Sequence, residues 1–257
     1  MGNNESVIKQ EIFEFYKSQS AEKTKDMDNW LNSGSIRIPQ PKSYYYFEDR
    51  KINNALAMAK PKKDSKILEI GCNLGQMTFV LAGMGYSITG FDLSEDAIRK
   101  AQMRVEHFKL KNITFEVQDA ECYKNHDEEE FDIIFSFSAF RYFPDPLKAL
   151  KESFRVLKKG GVAVIDFPNL FCPWFSIIKP IVLIKKHIHD HLFTISKIRN
   201  LMEQAGFQDI EFRKFLFSNK MLPGFLLPLM KTADFVLERT PLIRSLSAII
   251  MAKGRKK

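Results

Sequence analysis

Through the middle of the chain, short apolar runs alternate with stretches in which apolar residues recur at helical spacing. Lys66-Ile67-Leu68-Glu69-Ile70 reads as a buried strand, set off by the turn Pro61-Lys62-Lys63-Asp64-Ser65 and running into a glycine-containing loop. Ser87 to Phe91 is a second strand, and Ile113 to Val117 a third. Between these two, Ser94 caps a helix through about Lys109, with Glu95 and Asp96 in its first turn. Phe131 to Phe137 is the fourth strand. A helix from about Pro146 to Leu157, a Gly160-Gly161 turn and a fifth strand at Val162 to Phe167 follow it. A helix at Ser196 to Gln204, ended by Gly206, precedes the last strand candidates, Phe207 to Phe217 and Leu246 to Ala252.

Strict alternation of strand and helix predicts an α/β fold: a doubly wound, mostly parallel seven-stranded sheet with helices on both faces. Residues 1–60 are polar and helix-prone, contain the aromatic run Tyr44-Tyr45-Tyr46-Phe47, and are expected to form an N-terminal helical cap on a main domain of residues 61–257. Two apolar insertions interrupt that domain, at about 170–193 and 218–242. Proline and lysine break both, and neither reaches the roughly 18 apolar residues of a membrane-spanning helix. They read as buried or interfacial segments.

Cysteine usage changes the picture little. Cys72, Cys122 and Cys172 have no CxxC spacing, so neither a disulfide framework nor a metal site is expected, and a reducing, cytoplasmic setting follows. The first residues, Met1-Gly2-Asn3-Asn4-Glu5-Ser6, lack a secretory signal pattern, and their loose fit to a myristoylation motif is a chance-level match. The net charge of +8 is dispersed over short basic clusters, including Lys185-Lys186 and the tail Lys253-Gly254-Arg255-Lys256-Lys257, and reads as solvated surface. The acidic run Asp127 to Glu130 reads as a solvated turn.

In an open parallel sheet, a ligand crevice lies beyond the carboxyl ends of the strands, so residues following successive strands converge there. Strand one leads into Glu69-Ile70-Gly71-Cys72-Asn73-Leu74-Gly75, where small residues allow a tight turn and close backbone approach. Asp92, 21 residues past Gly71, stands where a carboxylate accepts hydrogen bonds from ribose hydroxyls. Asp119-Ala120 follows strand three, suited to an adenine edge, and Ser136-Phe137-Ser138 follows strand four.

With these residues in order, the chain resembles the class I S-adenosylmethionine-dependent methyltransferases over roughly residues 45–252, and is similar to the small-molecule, quinone-pathway O-methyltransferases in its insertion after strand five. Asn73 replaces the middle glycine of the family's first motif; asparagine tolerates positive φ better than other side chains, so the turn is expected to survive. The resemblance implies S-adenosyl-L-methionine as cofactor. It directs Glu69 and the backbone of Gly71, Asn73 and Gly75 to the amino acid end, Asp92 to the ribose, Leu93 to the adenine face, Asp119 with Ala120 to its amino edge, and Phe137 to the mouth. Phe140-Arg141-Tyr142-Phe143-Pro144-Asp145-Pro146 and Arg155 to Gly161 also match the family's passage from strand four to strand five.

Placing an acceptor opposite the S–CH3 bond supplies most of the rate, and a general base is needed only where the acceptor must lose a proton. The expected catalytic residues are His189 and His191 in the insertion, with His187 and Asp190 beside them, and Arg141 and Tyr142 as acceptor-pocket candidates. Trp174, Phe175, Phe225 and Leu227 flank the expected opening. They fit an apolar acceptor pocket or peripheral membrane contact, and a homodimer contact is their alternative use. The expected partner is a small, apolar or lipid-like methyl acceptor. Competing readings are an inactive nucleotide-binding module, a nucleic-acid methyltransferase supported by charge alone, and a nicotinamide-binding domain. The last is disfavoured because Gln76 occupies the third glycine position of GxGxxG.

Overall fold

A computed structural model describes residues 27–257 apart from 33, 125, 179–190, 219, 221 and 222, together with positions 7, 10, 11 and 14. In chain order the elements are α1 (Met27–Asn32), α2 (Lys42–Ala59), β1 (Lys66–Ile70), α3 (Gln76–Gly83), β2 (Ser87–Asp92), α4 (Glu95–His107), β3 (Ile113–Val117) and β4 (Phe131–Ser136). They continue with α5 (Pro146–Val156), β5 (Leu157–Pro168), α6 (Ile195–Gln204), β6 (Gln208–Phe215), α7 (Leu227–Leu237), α8 (Pro241–Arg244) and β7 (Ile249–Arg255). The sheet order is β3-β2-β1-β4-β5-β7-β6. Neighbours from β3 to β5 pair in parallel, and β7 runs antiparallel between β5 and β6. The expected seven-stranded, mostly parallel sheet is observed, and its order reverses between β1 and β4, the switch point where a crevice opens.

Both faces of the central strands are buried, which is why their sequences read as continuous apolar runs. Alternate residues feed two cores. Ile67, Ile133, Val164 and Met251 pack with α2, α3 and α4 residues such as Ile52, Phe79 and Ile98. Their neighbours Leu68, Ile134, Ile165 and Ile250 pack with Leu150 of α5 and with Ile198 and Met202 of α6. Ser94 caps α4 by accepting from the Ala97 amide, and Thr194 caps α6, which begins one residue before the expected start.

Three expectations are corrected. The fifth strand begins at Leu157, not Val162, because the Gly160 amide donates to Lys256 O and the Lys256 amide to Gly161 O, keeping the glycine pair in the ladder as a register shift with Gly160 at φ +79°. The last strand runs into the basic tail, where Lys253 pairs with Glu211 at 2.5 Å and Lys256 is buried. The acidic run is not simply solvated: Glu130 and Glu116 hold His126 from opposite ring nitrogens at 2.7 and 2.9 Å, and the imidazole packs on Phe91.

Helix α2, before β1, is built onto the sheet. Helix α2 buries Ile52, Ala55 and Met58 in the core and fixes its polar face to the second insertion. Arg50 pairs with Glu238 at 2.6 Å, and the Tyr46 hydroxyl donates to Asp234, which also accepts from the Phe217 and Ser218 amides. Among the described residues, no helix is long and apolar enough to cross a membrane.

Candidate cofactor and acceptor site

One cavity opens at the carboxyl ends of β1 to β4, roofed by α2. Of the cofactor residues expected from sequence, Glu69, Gly71, Asn73, Asp92, Leu93, Asp119, Ala120 and Phe137 line it. Gly75 does not. It caps α3 at φ +73°, and a β-carbon there would meet the Phe115 ring at 2.4 Å, so its lack of a side chain serves the packing of the loop on the sheet. Gly71, at φ +72°, is equally constrained: a β-carbon would lie 2.2 Å from the Ala139 β-carbon across the cavity floor.

Asp92 organises the loop. Its Oδ2 accepts from the Asn73 amide at 2.7 Å and its Oδ1 from the Ser94 amide at 2.9 Å, tying the β1 turn to the start of α4. Asn73 takes φ +50°, the left-handed conformation that asparagine tolerates, and its Oδ1 accepts from the Leu74 amide. From below, Arg104 donates to the Leu74 and Ile36 carbonyls and stacks 3.7 Å from the Phe79 ring centroid. Opposite, the Asp119 carboxylate accepts from the Glu121 amide, shaping the turn that presents Ala120. Phe137 stacks on Phe135.

Glu69 is buried and accepts from the Thr78 hydroxyl at 2.5 Å. Burial pushes its carboxyl up to about 8, with the nearby Glu48 and Asp92 carboxylates adding to the effect. The native protein therefore holds a proton that the unfolded chain releases as pH rises from roughly 5 to 8, so Glu69's contribution to stability is fullest on the acid side and is lost across that window. We expect Glu69→Gln to flatten the decline, gaining on the order of 1–3 kcal/mol relative to wild type at pH 8 compared with pH 5. Urea unfolding at the two pH values measures this. An unchanged decline would assign it to other buried acids such as Asp92.

The roof supplies Glu48 and Lys51, to which the sequence assigns no role, beside the aromatic run Tyr44 to Phe47, for which closure over the cofactor and plain cap packing are the two expectations. Tyr44, Phe47, Glu48 and Lys51 all line the cavity, at the i, i+3, i+4, i+7 spacing of one helix face. The aromatic run is divided by this geometry: Tyr44 and Phe47 face the cavity, whereas the Tyr45 hydroxyl donates to Ile38 O and Tyr46 turns to Asp234. Lys51, fully buried, pairs with Asp166 of β5 at 2.5 Å and donates to Ser138 Oγ. Asp166 also accepts from the Ser138 amide at 2.6 Å, holding Ser138 at φ +62° after β4. A side-chain-bearing residue in that conformation persists only where its surroundings fix it. The clue to this set lay in helical spacing, but Lys51 and Asp166 are 115 residues apart and only the fold pairs them.

Among the acceptor candidates, Arg141 and Tyr142 line the cavity. Arg141 lies 5.0 Å from the Phe175 ring centroid and accepts the His191 amide through its carbonyl. His191 itself is outside the cavity lining. His187, His189 and Asp190 lie outside the described residues. Trp174 and Phe175 pack against the core, and Phe225 is exposed.

A family model described as a methyltransferase domain matches residues 61–206. The chain is similar to the ubiquinone biosynthesis O-methyltransferase of Thiobacillus denitrificans, at 31% identity over 101 residues, covering 39% of this chain and 43% of that protein. It is also similar to the enzyme of the same description from Pelagibacter ubique, at 32% identity over 168 residues, covering 64% of this chain and 66% of that protein. The chain thus spans between about two fifths and two thirds of the length of these relatives. Among solved structures, the [4+2]-cyclase SpnF superposes with a TM-score of 0.65 at 16% identity, covering 93% of this chain and 94% of that one, a likeness of fold.

Proposed function

The chain belongs to the class I S-adenosylmethionine-dependent methyltransferase family, matched over residues 61–206, and on that premise we propose that it methylates a small, apolar or lipid-like molecule at a hydroxyl. The observation that carries this reading is the convergence of Glu69, Gly71, Asn73, Asp92, Leu93, Asp119 and Ala120 on one cavity that continues beneath the aromatic face of α2.

The residues present fit the cofactor. Asp92 offers a carboxylate for ribose hydroxyls, Leu93 an apolar surface for adenine, and Asp119 with Ala120 an acceptor beside a small wall for its amino group. Glu69 and the backbone at Gly71 line the part of the cavity suited to the cationic amino acid end. When bound, S-adenosylmethionine supplies an electrophilic methyl carbon whose bond to sulfur breaks as the acceptor oxygen attacks in line. The protein's task is then to hold, align and dehydrate the acceptor. Phe47, Phe137, Tyr142 and Phe143 provide the apolar walls for that. Calorimetric titration with S-adenosylhomocysteine tests the reading: micromolar binding supports it, and no binding removes it.

The apolar acceptor class draws support from outside the cavity as well. Phe225, Leu229, Phe235 and Leu242 are more than half exposed in the second insertion, interleaved with Lys231, Arg239 and Arg244. Exposed apolar side chains beside cations suit the surface of an anionic bilayer, from which a lipid-like acceptor would enter. The protein is expected to co-sediment with phosphatidylglycerol vesicles at low salt and to be released by Leu242→Glu with Phe225→Glu. No sedimentation, with a dimer at the same concentration in analytical ultracentrifugation, would assign the surface to a homodimer contact instead.

A further inference from the structure

The acids around the cavity are not equivalent. The Asp92 carboxylate is engaged by two backbone amides, Glu69 by the Thr78 hydroxyl, Asp119 by the Glu121 amide and Glu121 by the Asp145 amide. All four hold the loops of the cofactor half together. Glu48 differs in position and in partners. It stands on α2 in the roof of the cavity, is 6% exposed, and its Oε2 is shut off from solvent with no hydrogen-bond partner among the described residues. A buried acceptor oxygen left without a donor is unfavourable, so the carboxylate is completed by a proton or by a donor carried on a molecule in the cavity.

The helix face around Glu48 is rigid. One turn back, the Tyr44 hydroxyl hydrogen-bonds to its carboxylate, and one turn on, Lys51 is locked to Asp166 and Ser138. Phe47 lies beside it, Phe137 and Tyr142 line the same cavity, and Lys220 closes the rim. The charged and titratable groups acting on Glu48 are Tyr44 and Lys51 from its own helix, Arg37 from the preceding segment, Lys220 from the second insertion and Glu69 from β1. Burial outweighs the cations and raises the Glu48 carboxyl above its ordinary range, which makes its anion a stronger base.

We infer that Glu48 is the acceptor-side base: its carboxylate receives the hydrogen bond, and then the proton, of a phenolic hydroxyl presented on an apolar body. This rests on the methyltransferase reading above. The acceptor O–H bond breaks as its proton passes to Glu48, and the oxygen's electron pair forms the O–CH3 bond. The pair of the broken C–S bond stays on sulfur, and Glu48 later returns the proton to solvent. A carboxylate, a neutral phenol and a sulfonium thus become a carboxylic acid, a neutral ether and a thioether. Among the described residues this gives the base role expected of His191 to a residue of the roof, since His191 does not line the cavity; His189 lies outside the described residues.

The test uses protein saturated with S-adenosylhomocysteine and two probes, 4-hexylcatechol and its dimethyl ether. Wild type is expected to bind the catechol at least about tenfold more tightly than the ether, because the ether leaves the buried carboxylate without a donor. Glu48→Leu is expected to reduce that preference to within about threefold. Glu48→Gln, of the same shape, guards against a folding defect and should keep wild-type affinity for S-adenosylhomocysteine. With S-adenosylmethionine, it should lower kcat for the catechol by about a hundredfold or more. In Tyr44→Phe the acid limb of the kcat/KM profile should move to higher pH, because the lost hydrogen bond had favoured the ionised carboxylate. Equal affinity for the two probes, binding of neither, or an unchanged kcat in Glu48→Gln would overturn the inference while leaving the cofactor reading intact. A tenfold loss of S-adenosylhomocysteine affinity in Glu48→Gln would also overturn it, by assigning Glu48 to the cofactor. Failure of wild type to bind S-adenosylhomocysteine would fall on the methyltransferase reading itself.

Discussion

Asp92→Ala is expected to lower the affinity for S-adenosylhomocysteine by at least about a hundredfold, because the substitution removes two functions at once. The carboxylate is the candidate ribose acceptor, and charge-assisted hydrogen bonds of that kind contribute roughly 1.5–3 kcal/mol each. It is also the clasp between the Asn73 and Ser94 amides. Without it those two donors lose their partner, and the left-handed turn at Gly71 and Asn73 loses its anchor to α4. Asp92→Asn separates the two contributions. An amide keeps one acceptor oxygen, so it should retain part of the loop geometry and lose less affinity than alanine. Calorimetric titration of both variants, with circular dichroism to confirm folding, measures the effect. Asp92→Ala within about threefold of wild type would mean that the ribose is held elsewhere.

Lys51→Met is expected to destabilise the protein by about 3–5 kcal/mol, the cost of leaving a buried carboxylate without its counter-ion. Both partners are essentially inaccessible, and among the described residues Asp166 Oδ2 has no other polar contact. An exposed pair such as Arg199 with Glu203, 3.9 Å apart, should contribute less than about 1 kcal/mol by comparison. The double variant Lys51→Met with Asp166→Asn should recover most of the loss, since the uncompensated charge is then gone. Urea unfolding of the two single variants and the double variant completes the cycle. If Lys51→Met costs no more than about 1 kcal/mol, the pair is not what fixes α2 over the cavity. The same substitution also frees the Ser138 hydroxyl from its donor, so loss of stability and loss of acceptor binding are expected together.

Sequence determined the sheet and the residues that line the candidate cofactor half of the cavity. Strands buried on both faces must be continuously apolar, and the turns after them must carry small or acidic residues at fixed offsets. Glu69, Gly71, Asn73, Asp92, Asp119 and Ala120 were therefore legible as a set from local spacing and strand order. The same local logic overreached at Gly75. A glycine with positive φ looks alike whether it admits a ligand or a neighbouring ring, and here the neighbour is Phe115.

Only the tertiary structure decided the acceptor half. Lys51 and Asp166 meet through a parallel sheet that brings β5 beneath α2, and no sequence periodicity encodes a pairing across 115 residues. In the sequence Glu48 is an ordinary helix residue and Tyr44 fits either closure over the cofactor or cap packing; the rotation of α2, fixed by Ile52 and Ala55 in the core and by Arg50 on Glu238, turns both to the cavity. Histidine proximity in the chain pointed to His191, which the fold leaves out of the cavity lining while its amide bonds Arg141 O. Local chemistry repeats in every turn of a strand or helix, so it can be read from short windows. Which face of each element meets the ligand depends on all the other elements packed against it.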